Sequence, residues 1–130
     1  MKRFSVTLSL LLSAAAALPI SARAPSDFDG DGNADIVWRN RITGECKIWY
    51  MNGALEPRTD KPPKAITYQG VPLTNPAPPG SNPDDFWRIV GTGDVSGDGI
   101  PDVIWQHMGD RYTAVWVMSD PDGIREVIRG

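Results

Sequence analysis

Residues 27–38 read DFDGDGNADIVW, and residues 94–105 read DVSGDGIPDVIW. Each stretch runs from an acidic, glycine-broken loop straight into a short apolar segment, and the two lie 67 residues apart. Slid by that offset, segment 27–53 aligns with segment 94–120 without a gap, with eight identities in 27 pairs. The identical pairs are Asp27/Asp94, Gly30/Gly97, Asp31/Asp98, Gly32/Gly99, Asp35/Asp102, Trp38/Trp105, Trp49/Trp116 and Met51/Met118. Self-similarity at a fixed offset marks one supersecondary unit used twice.

The apolar segments after the loops are Ile36-Val37-Trp38 and Val103-Ile104-Trp105, and a second run follows in each unit, at 48–51 and 115–118. They are short, β-branched and aromatic, and bounded by Gly, Asp and Asn, which predicts strands and an all-β fold. Their apolar residues are successive rather than alternating, so both faces of each strand are expected to be covered. Further strands are expected at 65–69, 87–90 and 124–128. The second unit then has four strands and the first three, because SARAPS before Asp27 offers no counterpart of the WRIVGTG before Asp94. Residues 54–86 hold eight prolines and read as a surface connection with one outer strand and no motif.

Numbered from its first Asp, each loop places side-chain oxygens at positions 1, 3, 5 and 9 and glycine at 4 and 6. Alternate side chains of such a turn point at a common centre, glycine at position 6 permits the bend, and the carbonyl of position 7 adds a ligand. The candidate ligands are Asp27, Asp29, Asp31, the Asn33 carbonyl and Asp35, and then Asp94, Ser96, Asp98, the Ile100 carbonyl and Asp102. Four carboxylates crowded in one turn repel one another unless a cation offsets them. Oxygen donors in flexible geometry suit calcium better than magnesium, and neither loop has the His or Cys that zinc prefers. With four Asp against three, loop one is expected to bind the more tightly. Loops of Asp and Gly also occur as plain solvated turns; what argues for metal is their recurrence at equivalent places in a repeat.

An EF-hand would need flanking helices and a Glu at position 12, where this chain has Trp38 and Trp105. Dockerin loops also run into helices, against the strand-like DIVW and DVIW. The fuller pattern, W-x-I-V-G-T-G-D-x-x-G-D-G-x-x-D-x-x-W followed by W-x-M, closely resembles the FG-GAP/VCBS repeat family over residues 27–53 and 87–120. That resemblance implies blades of a β-propeller like the integrin α-subunit head, each of short antiparallel strands with a calcium loop between two of them. Here the first blade is incomplete, and two blades fall short of the four to eight that close a ring. The chain is therefore expected to self-associate, to dock on a partner, or to be the remnant of a longer propeller.

Lys2 and Arg3 precede an uncharged run to Ala22 whose apolar part, Leu8 to Leu18, is too short for the roughly 20 residues of a membrane span. This predicts a secretory signal peptide. Cleavage is placed after Ala22, since cutting after Ala24 would leave Pro25 first. The expected organisation is a leader at 1–22, a first repeat at 23–53, the connection at 54–86 and a second repeat at 87–130. Two basic residues and no acidic one leave with the leader, so the net charge moves from −3 to −5, which disfavours nucleic acid and anionic membranes as partners. Cys46 is the only cysteine, so an exported chain of this kind has no internal disulfide and needs another staple. The thiol itself reads as a small buried apolar residue.

The function expected is that of a secreted, calcium-stabilised recognition or adhesion module with a protein or glycan ligand outside the cell. A lectin-like propeller assembled from several copies is the alternative. The five tryptophans occupy repeat positions and read as core, leaving Tyr50, Tyr68 and Tyr112 to stack on sugars. No Ser-centred elbow, H-E-x-x-H or phosphate loop is present, and the single His107 sits at a strand end, so the chain is not read as an enzyme.

Overall fold

The computed structural model describes residues 23–77, 86–119 and 122–130, so the expected leader lies outside the described residues. Among these there is no helix, and the strands form two sheets. The first has the order β1-β2-β3, with β1 (Ile36–Arg39), β2 (Cys46–Trp49) and β3 (Lys64–Ala65). The second has the order β5-β4-β9-β8-β7-β6, built from β4 (Thr67–Tyr68), β5 (Val71–Pro72), β6 (Trp87–Gly93), β7 (Asp102–His107), β8 (Thr113–Ser119) and β9 (Gly123–Arg129). Strands β6 to β9 form a four-stranded antiparallel meander.

The repeat seen in the sequence is repeated in the register. Ile36 faces Trp49 and Val37 faces Ile48 in the first sheet, while Val103 faces Trp116 and Ile104 faces Val115 in the second. All four pairs are related by the 67-residue offset, so both hairpins are built on the same pairing. What differs is the strand before each acidic loop. In the second unit β6 pairs with β7 over its length, with a register shift at Val90. In the first unit residues 23–26 turn instead, the Asp27 N–H bonding the Ala24 carbonyl, so β1 has an open edge among the described residues.

The strand expected at 65–69 exists but is divided between the sheets. Lys64 and Ala65 pair with β2, whereas Thr67 and Tyr68 pair in parallel with β9. Ile66 is the crossing point: it is fully buried, and its N–H donates to the Cys46 carbonyl at 2.9 Å. One apolar cluster fills the space between the sheets, with Cys46 and Ile48 from the first, Val103, Trp105, Ala114 and Trp116 from the second, and Ile66 between them. With only two sheets present, the first is covered on one face. Along β2, Cys46 and Ile48 are buried while Lys47 is half-buried and Trp49 exposed. The expectation of two covered faces fails there because no third sheet lies beyond it among the described residues.

Candidate metal centre

In both loops the first Asp organises the turn that follows it. Asp27 Oδ1 accepts the N–H groups of Gly30 (2.7 Å) and Asp31 (3.1 Å), and its Oδ2 accepts that of Gly32 (3.0 Å). Asp94 repeats this with Gly97 (2.7 Å), Asp98 (3.0 Å) and Gly99 (2.9 Å). Wrapping three donors around one carboxylate drives the chain through the left-handed region at position 6, where Gly32 has φ 90° and Gly99 φ 87°. The donated N–H groups, that of Gly99 foremost, hold the Asp94 carboxyl below the ordinary carboxylate range.

The last Asp of each loop ties it to the hairpin. Asp35 accepts the N–H of Phe28 (2.8 Å) on one oxygen and that of Met51 (2.9 Å), just past β2, on the other. Asp102 accepts Val95 (2.9 Å) and Ser96 (2.8 Å), and on its second oxygen Met118 (3.0 Å) of β8. Both carboxylates are buried. Burial pushes the Asp35 carboxyl up, and the charges of Asp29 and Asp31 push the same way, while the two N–H groups oppose them.

Loop one brings carboxylates together. One oxygen each from Asp27, Asp29 and Asp35 lie within 4.8 Å of one another, the one such group among the described residues. An oxygen that accepts a single N–H, such as Asp27 Oδ2 or either oxygen of Asp35, keeps a second lone pair that can face a cation. Asp31 stands apart from this group, its Oδ2 2.9 Å from Arg58. The N–H of Asn33, more than Arg58, lowers its carboxyl from the usual value. Asn33 itself follows Gly32 and donates its N–H to Asp31. Loop two keeps the same backbone, with Ile100 donating to Asp98 (2.9 Å) and the Ser96 hydroxyl 3.4 Å from Asp94, but it lies open: Asp94, Ser96 and Asp98 are exposed.

The connection expected to carry no motif supplies two cations to loop one. Arg58 Nη1 lies 3.3 Å from Asp29 Oδ2 as well as beside Asp31, and Lys61 Nζ lies 2.9 Å from the same Asp29 oxygen. Lys61 also sits 4.0 Å above the Tyr50 ring. At loop two a counterpart is Arg125, at 3.1 Å from Asp98. The sequence shows Arg58 and Lys61 only as isolated basic residues in a Pro-rich stretch, with nothing local to pair them with the loop.

The other candidates fall into structural places. Tyr50 is buried and Tyr68 half-buried, leaving Tyr112, 60% exposed, as the open tyrosine. Trp105, Trp116 and Trp87 are core, but Trp38 is half-buried and Trp49 is exposed. His107 is buried against Trp87, and its Nδ1 accepts the Asp110 N–H at 2.9 Å, closing the turn after β7. Cys46 is buried, and desolvation pushes its thiol up to about 12.

A family model described as FG-GAP-like repeat matches residues 27–105, more than half of the chain, from the first Asp of loop one to the tryptophan of β7. No curated protein and no solved structure matches the sequence.

Proposed function

The chain belongs to the FG-GAP-like repeat family, and on that premise we propose that it is a secreted calcium-binding module acting in recognition or adhesion outside the cell. The observation that carries this reading is the convergence of Asp27, Asp29 and Asp35 within 4.8 Å at the root of β1. All the donors there are hard oxygens, which is the chemistry calcium takes, and no nitrogen or sulfur ligand competes. Asp27, Asp29, Asp31, the Asn33 carbonyl and Asp35 would hold one ion. Asp94, Ser96, Asp98, the Ile100 carbonyl and Asp102 would hold a second.

The role of the ion is structural. Each loop is braced to its hairpin by a buried Asp, and a cation drawing the loop carboxylates together would fasten that end of the sheet in a chain whose lone thiol offers no cross-link. Secretion is supported by the basic, then apolar, N-terminal sequence. Among the described residues no helix is long and apolar enough to cross a membrane. The ligand is a protein or glycan surface, and the reading is of a binding module rather than an enzyme.

Calorimetric titration of calcium into chelator-treated protein tests the proposal. Two binding events and a melting temperature that falls on adding EDTA are expected. No heat of binding, with melting unchanged by EDTA, would reduce both loops to polar bends. Sequencing of the exported chain is expected to begin at Arg23.

A further inference from the structure

The two sheets pack through different faces, and that asymmetry leaves two complementary faces open. In β1 and β2 the facing pairs put Val37, Arg39, Cys46 and Ile48 on one side and Ile36, Trp38, Lys47 and Trp49 on the other. The first set is turned to the second sheet: Cys46 and Ile48 are core, Val37 packs against it, and Arg39 lies 6.0 Å over the Trp105 ring. In the second sheet the side turned inward carries Val103, Trp105, Ala114 and Trp116. By the 67-residue offset these are the counterparts of Ile36, Trp38, Lys47 and Trp49, the set that the first sheet turns outward.

The reverse holds as well. The outward side of the second sheet carries Ile104, Gln106, Thr113 and Val115, the counterparts of the buried Val37, Arg39, Cys46 and Ile48. Thus the contact inside the chain joins one kind of face to its opposite, and one of each kind is left over. The leftover faces are apolar for their position. Ile36 is 46% exposed and Trp49 37%, although their counterparts Val103 and Trp116 are fully buried. Trp38, half-buried, stacks edge-on to Trp49 with ring centroids 5.7 Å apart, and its indole N–H is buried without a hydrogen-bond partner, as are those of Trp105 and Trp116. On the other leftover face Ile104 and Val115 are half-buried, and Ile128, which faces Val115 across β9, is 49% exposed.

We infer that a second copy of this chain docks head to tail, its Ile36–Trp38–Trp49 face seating on the Ile104–Val115–Ile128 face of the first, so that the contact between the sheets is continued from chain to chain. In the internal contact Arg39 covers Trp105; in the intermolecular one Gln106 of one copy covers Trp38 of the next. Lys47, 3.6 Å from Glu45 of its own chain, puts positive charge on one face, and the exposed Glu126, which faces the buried Val117, puts negative charge at the rim of the other. Such an interface is heterologous, so each docked copy keeps one free face and the pair keeps one of each kind, and repetition closes a ring or extends a filament. The inference stands on packing and does not depend on metal in either loop.

Sedimentation of the exported chain without its leader tests it. The wild type is expected to sediment as an assembly larger than a monomer, and Ile36→Glu and Val115→Glu each to block one face. Ile36→Glu at an exposed position is expected to keep the wild-type circular dichroism and melting; Trp49→Glu and Ile128→Glu serve as second variants of the two faces. Either variant alone is expected to be monomeric. A mixture of one from each face is expected to form a dimer and nothing larger, since one intact contact survives between them. A wild type that is monomeric at every concentration, or single-face variants that never dimerise when mixed, overturns the inference. Calcium uptake measured on the monomeric variants reports separately on the loops.

Discussion

Removing the Asp102 side chain strands three backbone N–H groups, those of Val95, Ser96 and Met118. These bonds exist without any ion, so Asp102→Ala is expected to cost about 2–4 kcal/mol in urea unfolding even in EDTA, the sum of partly rehydrated donors that lose an acceptor. Asp98→Ala removes an exposed carboxylate, a proposed ligand, whose partners include the Ile100 N–H and Arg125, and its effect is expected to appear only when calcium is present. Equal losses in EDTA would mean that the two positions do not divide brace from ligand. Arg58 works in the opposite sense to a ligand. It and Lys61 offer loop one positive charge that a metal must displace or face, so counting carboxylates alone overstates that loop. A guanidinium roughly 6 Å from a divalent ion costs about tenfold in affinity even at a water-like dielectric. Arg58→Gln is therefore expected to tighten calcium at loop one by about that factor, read by calorimetry with loop two silenced by Asp98→Ala, while Arg58→Lys keeps the weaker constant. The ligand spacing was legible because five consecutive odd positions of one turn encode it. The cations were not, since they reach Asp29 and Asp31 across 27 to 32 residues and through a proline-rich connection.

At the level of elements, hairpins β1–β2 and β7–β8 could be read directly, since β-branched and aromatic runs between turn residues leave little choice of structure. Residues 65–69 show what such reading omits. A local pattern announces an extended segment, but pairing partners are chosen by tertiary packing. Here the segment leaves β2 after Ala65 and joins β9 at Thr67. The two-residue β5 is exposed and had no pattern to give it away. Ile66, between the two pairings, spends its side chain on the shared core and its N–H on Cys46. Ile66→Ala is expected to cost about 2–5 kcal/mol, as large-to-small changes at fully buried sites do. Because the residue touches both sheets, the loss is expected in a single transition seen alike by tryptophan fluorescence and far-ultraviolet circular dichroism. A first transition affecting only one probe would show that Ile66 belongs to one sheet's core alone.

For the molecule as a whole, the same geometry decides whether two repeats behave as two units or one. Repeat arrays can open from an end when each unit contacts its neighbour through a modest interface. This chain has instead one apolar cluster drawn from both sheets and one segment hydrogen-bonded to both, so neither sheet keeps a covered face if the other leaves. The acidic loops act on that shared core through their braces, Asp35 to the end of β2 and Asp102 to β8. An ion bound at one loop, as proposed, would therefore stabilise the sheet that holds the other. Native-state hydrogen exchange on the Ile36→Glu variant, chosen to exclude assembly, is expected to give one opening free energy for the slowest amides of β2 and β8 in EDTA. Calcium at a hundredfold excess over a site's dissociation constant is expected to raise both together, by about 2.7 kcal/mol for that site. If calcium instead protects β2 without β8, or if β2 opens first in EDTA, the repeats fold separately, and the metal fastens each hairpin on its own rather than the common core.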